Sequence, residues 1–269
     1  MWGRGGPVVP QQGFHCIVDL EDVSFESCIA CAATQGRCQL TASLLRGMAD
    51  QSRARNRDIA LTVVSGERDA PEIAIPPLSV TALTGCVRQS FLKHTEPYYQ
   101  RPDQQYWAYR GTLGHLLAER GAGPDAIVEQ RFERELLLPS GRRVTISGQP
   151  DEIDPARSLL IDYKTTDRAP RQPSELHVAQ VNLYRWLVLP QYPIERLGIV
   201  YLTMKGVQKA AVPIWPDGQV ERFLHERAGA LAEAYAGGAW PDLTDDRWLC
   251  TFCPVVVACE RGPVALAAS

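Results

Sequence analysis

The chain has 269 residues, 45% of them hydrophobic, and a formal net charge of -3, which is enough apolar material for one large globular domain with a small appendage. The charge excludes the overall positive excess of simple electrostatic DNA binders, although carboxylates that serve as metal ligands leave a nucleic-acid substrate open. No apolar run reaches about 18 residues and "MWGRGGPVVPQQ" has no apolar core of the signal-peptide kind, so the expectation is a soluble, cytoplasmic protein with no membrane partner.

Residues 1–75 read as an irregular Gly- and Pro-containing lead, a cysteine-bearing segment, and a helix around "LTASLLRGMADQSRARN" that closes before "IALTVVSGE". From "PPLSVTALTGCVRQSFLKH" the apolar residues recur at helical spacing, with Ser79 or Thr81 available as an N-cap, and the main domain is expected over residues 76–262, followed by a tail at 263–269. "QYWAYRGTLGHLLAERGAG" reads as the next helix. "IVEQRFERELLLPSGRRVTISGQPDEID" reads as two strands turning at Pro139-Ser140-Gly141, and "DPARS" as a second turn. "LLIDYKTTD" is the following strand. Ser174 then caps a helix through "ELHVAQVNLYRWLVL", "RLGIVYLTM" and "KAAVPIW" form a hairpin at Gly206, and "QVERFLHERAGALAEAYAGG" is a last long helix. The order of elements predicts a mixed α/β domain with a central sheet.

The alternation of a strand puts Asp162 and Lys164 on the same side. In a hairpin turning near Ala156, Asp151 and Asp162 fall nearly opposite one another. Like charges that close are reconciled by a shared proton or a divalent cation, while Lys164 could instead neutralise the pair as a salt-bridged surface patch. Gly111 and His115 share a helical face, as do Gln180 and Tyr184. Taken singly, each of these reads as ordinary packing.

Their order is more specific. Gly111-x-x-x-His115, Gly148-x-x-Asp151, Asp162-Tyr163-Lys164 and Gln180-x-x-x-Tyr184 together resemble the RecB-like branch of the PD-(D/E)XK nuclease superfamily. The resemblance implies a restriction-endonuclease-like central mixed sheet flanked by helices. It implies His115, Asp151 and Asp162 as ligands of Mg²⁺ or Mn²⁺ with the Tyr163 backbone carbonyl as a fourth, Lys164 orienting the attacking water, and Gln180 and Tyr184 in support. Hard oxygen ligands suit such an ion, and a lysine offers a point charge to a phosphoryl transition state. Glu129 is a weaker candidate for one more carboxylate.

The eight cysteines fall into two sets of four, and a reducing compartment favours metal ligation over disulfides. Cys250, Cys253 and Cys259 need a fourth partner, for which Cys86 is the candidate; read alone, C-x2-C fits zinc ribbons, redox motifs, iron-sulfur sites or unrelated buried thiols. With a nuclease core between them, they resemble the iron-sulfur nucleases of this superfamily, notably the CRISPR-associated exonucleases of the fourth Cas family. That implies a four-iron four-sulfur cluster acting as a staple, single-stranded DNA ends as substrate, and CRISPR adaptation proteins as partners. The alternatives are a non-cleaving DNA-binding subunit and an iron-sulfur redox protein. The first set, Cys16, Cys28, Cys31 and Cys38, lies outside the resemblance in the cysteine-rich extension and suits Zn²⁺, with His15 as a substitute ligand. That segment reads equally as a partner-docking or a DNA-contacting module.

Overall fold

The computed structural model describes residues 11–57, 62–64, 73–75, 78–106, 111, 116 and 120–261. At the N-terminus, β1 (Gln11–His15) pairs antiparallel with β2 (Asp22–Ser24), and α1 (Phe25–Thr34) and α2 (Ala42–Arg57) cover the hairpin. Ser24 ends β2 in extended conformation and its Oγ accepts from the Ser27 N–H at 3.1 Å, so α1 starts at once. Phe14, Phe25, Leu45, Met48 and Ala49 form a small core of their own. The extension is not a free appendage, because β1 also pairs in parallel with β6 (Tyr98–Gln100). Buried Gln105 adds two ties, donating to the Met48 carbonyl at 3.1 Å and to Ser52 Oγ at 2.9 Å.

β3 (Thr62–Val64) and β4 (Ile73–Ile75) form a two-stranded ladder, and β5 (Leu78–Ser79) leads into the main domain. The helical run expected after Pro77 is two helices, α3 (Val80–Thr84), capped by Ser79, and α4 (Val87–Thr95). The break at Gly85-Cys86 is held from outside: the Arg227 guanidinium donates to the Leu83 carbonyl at 2.7 Å and to the Gly85 carbonyl, satisfying groups that the end of α3 leaves unbonded. Cys86 then caps α4, its Sγ accepting from the Gln89 N–H at 3.4 Å. Of the next expected helix, residues 105–123, positions 105, 106, 111, 116, 120 and 121 are helical, 122 and 123 are not, and the rest, His115 included, lies outside the described residues.

The expected single sheet is two. β8 (Phe132–Leu137) and β9 (Arg143–Gly148) form the hairpin read from the sequence, joined by β5 in a three-stranded sheet. A five-stranded mixed sheet runs β13-β12-β11-β10-β7, with β7 at Ile127–Val128, β10 at Glu152–Asp154, β11 at Leu159–Thr165, β12 at Arg196–Thr203 and β13 at Gly206–Val212. Pro150 has no N–H to give a ladder, and at Gln149-Pro150 the chain leaves one sheet for the other. β11 and β12 are parallel, so a crossover must join them, and it contains α5 (Glu175–Val188), capped by Ser174. α6 (Asp217–Tyr235) packs alongside, and Leu160, Val181, Leu183, Leu197, Ile199 and Leu224 are central to one continuous core. The C-terminal segment, a 3-10 helix over Arg247–Phe252 and α7 (Val256–Arg261), docks through Val255 and Ala258. Arg88 of α4 reaches the stretch that leads into it, donating to the Pro241 carbonyl at 2.6 Å and lying over the Trp240 ring. No described helix is long and apolar enough to cross a membrane.

Arg227→Met should therefore destabilise the fold by about 2–3 kcal/mol through two abandoned carbonyls, whereas exposed Arg222→Met should cost less than about 0.5 kcal/mol. Paired urea denaturation curves check the difference.

Candidate active site

The ladder pairs Glu152 with Ile161 and Ile153 with Leu160, so one step beyond β10 it sets Asp151 against Asp162. Asp162 is 1% exposed and Asp151 8%. The Tyr163 N–H donates to Asp151 Oδ2 at 2.6 Å, and Lys164 Nζ lies 2.8 Å from Asp162 Oδ2. The alternation along β11 puts Leu160, Asp162 and Lys164 on one face. That face is the buried one, with Leu160 wholly enclosed, so the acid and base are not a solvated patch. Buried carboxylates need hydrogen bonds and opposite charge, and the Tyr163 amide and the Lys164 ammonium supply both.

Glu129, Gln149, Asp151, Asp162, Lys164, Gln180 and Tyr184 line a cleft of about 390 Å³, with Ser79 and Thr81 of the α3 cap on its wall. Gln180 and Tyr184 are one helical turn apart on α5, and Gln180 Nε2 donates to the Tyr184 hydroxyl at 3.1 Å. Burial first, then Asp162, raises the Tyr184 phenol well above its usual range, so it remains a neutral hydroxyl. Gly148 explains its own place in Gly148-x-x-Asp151. A Cβ there would stand 2.9 Å from both the Tyr184 ring and Leu187 Cδ2 and 3.0 Å from Val80 Cγ2, so only glycine lets α5 and α3 close over β9.

A model of the PD-(D/E)XK nuclease superfamily matches residues 75–260. The chain belongs to that superfamily. Its members are divalent-metal-dependent phosphodiester hydrolases, and the mixed sheets flanked by helices accord with membership. The crystal structure of SSO0001 shares the fold, with a TM-score of 0.57 and 18% identity over 81% of this chain and 97% of that one. A phage-related exonuclease from Haemophilus somnus 129PT aligns over 60% of this chain and 94% of that one at 13% identity and a TM-score of 0.41. A search of curated proteins finds no match.

In this cleft the structure brings together Asp151, Asp162, Lys164, Gln180 and Tyr184, which the sequence motifs placed in order. It also promotes Glu129. Glu129 adopts φ +48°, the left-handed region that a residue with a Cβ seldom occupies, its N–H donates to the Asp151 carbonyl at 3.2 Å, and Gln149 Nε2 donates to its Oε2 at 2.6 Å. Gln149, between Gly148 and Asp151, carried no sequence signal, since its role follows from the sheet change at Pro150. Arg131 brings a positive charge to the same wall and donates to Ser147 Oγ at 3.3 Å. His177, unremarked in the sequence, lies one turn before Gln180, its Nδ1 3.0 Å from the Tyr201 hydroxyl. Burial, then the nearby Lys164 charge, lowers its pKa to about 4.

All eight cysteines are free thiols. Cys86 at the head of α4 lies near Cys253, whose thiol is raised mainly by burial, and Cys253 and Cys259 pack against the main core. No group of three or more His, Cys, Asp or Glu side chains among the described residues is disposed to hold a metal ion, so the iron-sulfur and zinc assignments rest on thiol spacing and resemblance, not on the structure.

Two outcomes follow. Gly148→Ala should push Tyr184 and Leu187 outward, costing about 1–3 kcal/mol of stability and lowering activity beyond that loss, as read by denaturation and by assay at matched folded fraction. His177 is neutral when folded down to about pH 4 but protonates near 6.5 when unfolded, so the unfolded state takes up more protons and stability falls as pH drops through that window. His177→Asn should flatten that part of the curve of melting temperature against pH.

Proposed function

We propose that the protein is a divalent-metal-dependent deoxyribonuclease that hydrolyses phosphodiester bonds in the cleft between β11 and α5. The observation that carries this reading is the pair of buried carboxylates, Asp151 and Asp162, with Lys164 2.8 Å from one of them. Two acids enclosed together beside a lysine fit a hard divalent cation, for which paired carboxylates are the preferred ligands. Asp151 and Asp162 would hold Mg²⁺ or Mn²⁺ together with His115 and the Tyr163 carbonyl. Bound there, such an ion polarises a phosphoryl oxygen and lowers the pKa of water.

The chain's own residues divide the remaining work. The Tyr163 amide fixes the Asp151 carboxylate. Lys164 orients the attacking water and stabilises charge developing on the phosphate. Gln180 and neutral Tyr184 offer hydrogen bonds to the DNA backbone or to Lys164, and Arg131 draws the strand to the mouth of the cleft.

The finer reading is an exonuclease on single-stranded DNA ends in the cytoplasm, trimming DNA for CRISPR spacer acquisition with adaptation proteins, or in repair. A four-iron four-sulfur cluster on Cys86, Cys250, Cys253 and Cys259 completes it. The thiols have a common neighbourhood in support of this: Cys86 sits at the head of α4 near Cys253, and Arg88 of α4 bonds the Pro241 carbonyl in the stretch that leads to the other three. The cluster's role here is to fasten the start of the domain to its end. Cys250→Ala should bleach anaerobically purified protein and remove its iron and acid-labile sulfide, while Lys164→Ala leaves both intact.

The deciding assay uses end-labelled single-stranded DNA with Mg²⁺ or Mn²⁺. EDTA should abolish shortening, and Lys164→Ala or Asp162→Ala should slow it by about 10²–10³ or more at unchanged circular dichroism. Cleavage by Lys164→Ala at the parent rate would sink the site assignment. Salt-sensitive binding without cleavage under any divalent ion would point instead to a non-cleaving subunit of a larger complex.

A further inference from the structure

Basic side chains are gathered unevenly around the cleft. Only four lysines occur in the chain, and three of them, Lys164, Lys205 and Lys209, lie on β11, on β13 or in the turn between β12 and β13. The loop that leaves β11 after Lys164 adds Arg168 and Arg171, with Asp167 as its one acid. In a chain of net charge -3, this corner carries a local positive excess.

Strand register places these charges relative to the cleft. Lys164 pairs with Tyr201 and Tyr201 with Gln208, so the three side chains share the cleft face of the sheet, with Gln208 about 10 Å from Lys164. Gln208 Nε2 donates to the Pro170 carbonyl at 3.2 Å, which holds the loop over that face. Thr166 fixes the start of the loop: its N–H donates to the Leu202 carbonyl at 3.0 Å and its Oγ1 to the Arg168 carbonyl at 3.2 Å. The neighbouring turn is fixed as well, since Thr203 Oγ1 donates to the Gly206 carbonyl at 2.9 Å and accepts from the Lys205 N–H at 3.1 Å. Met204 beside Lys205 is 82% exposed, so the turn stands clear in solvent. Arg168, Arg171 and Lys205 are exposed too, and among the described residues no carboxylate pairs with their side chains. Lys209 differs. It stands opposite Val200, one step out of phase with Lys164, so its side chain leaves the sheet on the other face.

We propose that Arg168, Arg171 and Lys205 form a track for the DNA backbone that continues the cleft past Lys164. The track rests on the nuclease reading of the cleft and gives its substrate a path, from Arg131 on the wall of the cleft, across Asp162 and Lys164, to the rim made by the loop and the turn. Cations that hold no carboxylate have no ion pair to break before they meet a phosphate. The main chain beneath them is already hydrogen-bonded in place, so binding orders side chains rather than a loop. Phosphate contacts of this kind position a strand without reading its bases, so the track accepts any sequence.

The test titrates the full chain in EDTA, which stops cleavage, against a fluorescein-labelled oligothymidylate of about 20 nucleotides, read by anisotropy over a series of KCl concentrations. Arg168→Ala/Arg171→Ala/Lys205→Ala should bind at least about tenfold more weakly, and the slope of log affinity against log salt should fall by about two, as for three lost phosphate contacts on a single strand. Lys209→Ala, on the opposite face, should keep the wild-type slope. With Mn²⁺ present, the triple variant should show a raised KM and an unchanged kcat on the oligonucleotide. On bis(p-nitrophenyl) phosphate, too short to reach the rim, it should match the wild type. A triple variant with wild-type affinity and salt slope, a Lys209→Ala variant that loses as much, or slower hydrolysis of the small ester by the triple variant would each overturn the track. Binding in EDTA needs no cleavage, so the two readings fail separately: the expected slopes without hydrolysis of either substrate keep the track and lose the nuclease, and cleavage with unaltered slopes does the reverse.

Discussion

Two carboxylates share one enclosed space, and the rest of the main domain is arranged so that they can. Asp151 and Asp162 are held by a backbone amide and a lysine where water is largely excluded. Burying two carboxylates together is costly unless such partners meet them. The geometry asks for three conditions at once: an antiparallel register that sets the acids opposite, a parallel neighbour that places β11 in the interior, and a crossover helix close enough to roof the cleft. The turn at Asp154-Pro155, the β11–β12 pairing and Gly148 meet them in turn.

Much of this was legible because the deciding signals were local. Strand alternation put Asp162 and Lys164 together, the turn at Asp154-Pro155 fixed the register that opposes Asp151, and Ser174 announced α5. Less legible were features set by distant contacts. The split of one helical run at Gly85-Cys86 depends on Arg227, which lies 142 residues from Gly85 in sequence. Glu129 drew only weak notice because its value lies in a left-handed backbone turn and in Gln149, neither of which a pattern of apolar residues reveals. His177 escaped notice because it is tied to Tyr201 of the neighbouring strand. The division into two sheets followed from a single missing N–H.

The cysteines show another limit of sequence. Spacing separated two sets of four, and the fold keeps them apart, one at the open end of the hairpin module and the other between α4 and the C-terminal segment. Both settings join segments distant in sequence or poorly supplied with core, where a cross-link constrains the unfolded chain most. The two sets of thiols therefore lie at the two ends of the domain, away from the carboxylates of the cleft.

The parallel pairing of β11 with β12 also governs timing. Lys164 lies on β11 and Gln180 and Tyr184 on the crossover, yet β11 becomes an interior strand only when residues 196–203 have been made and have paired beside it. Parallel pairing across a crossover is slow and non-local. A partly synthesised chain thus contains every cleft residue named above while lacking the cleft, which takes shape only when most of the domain has emerged.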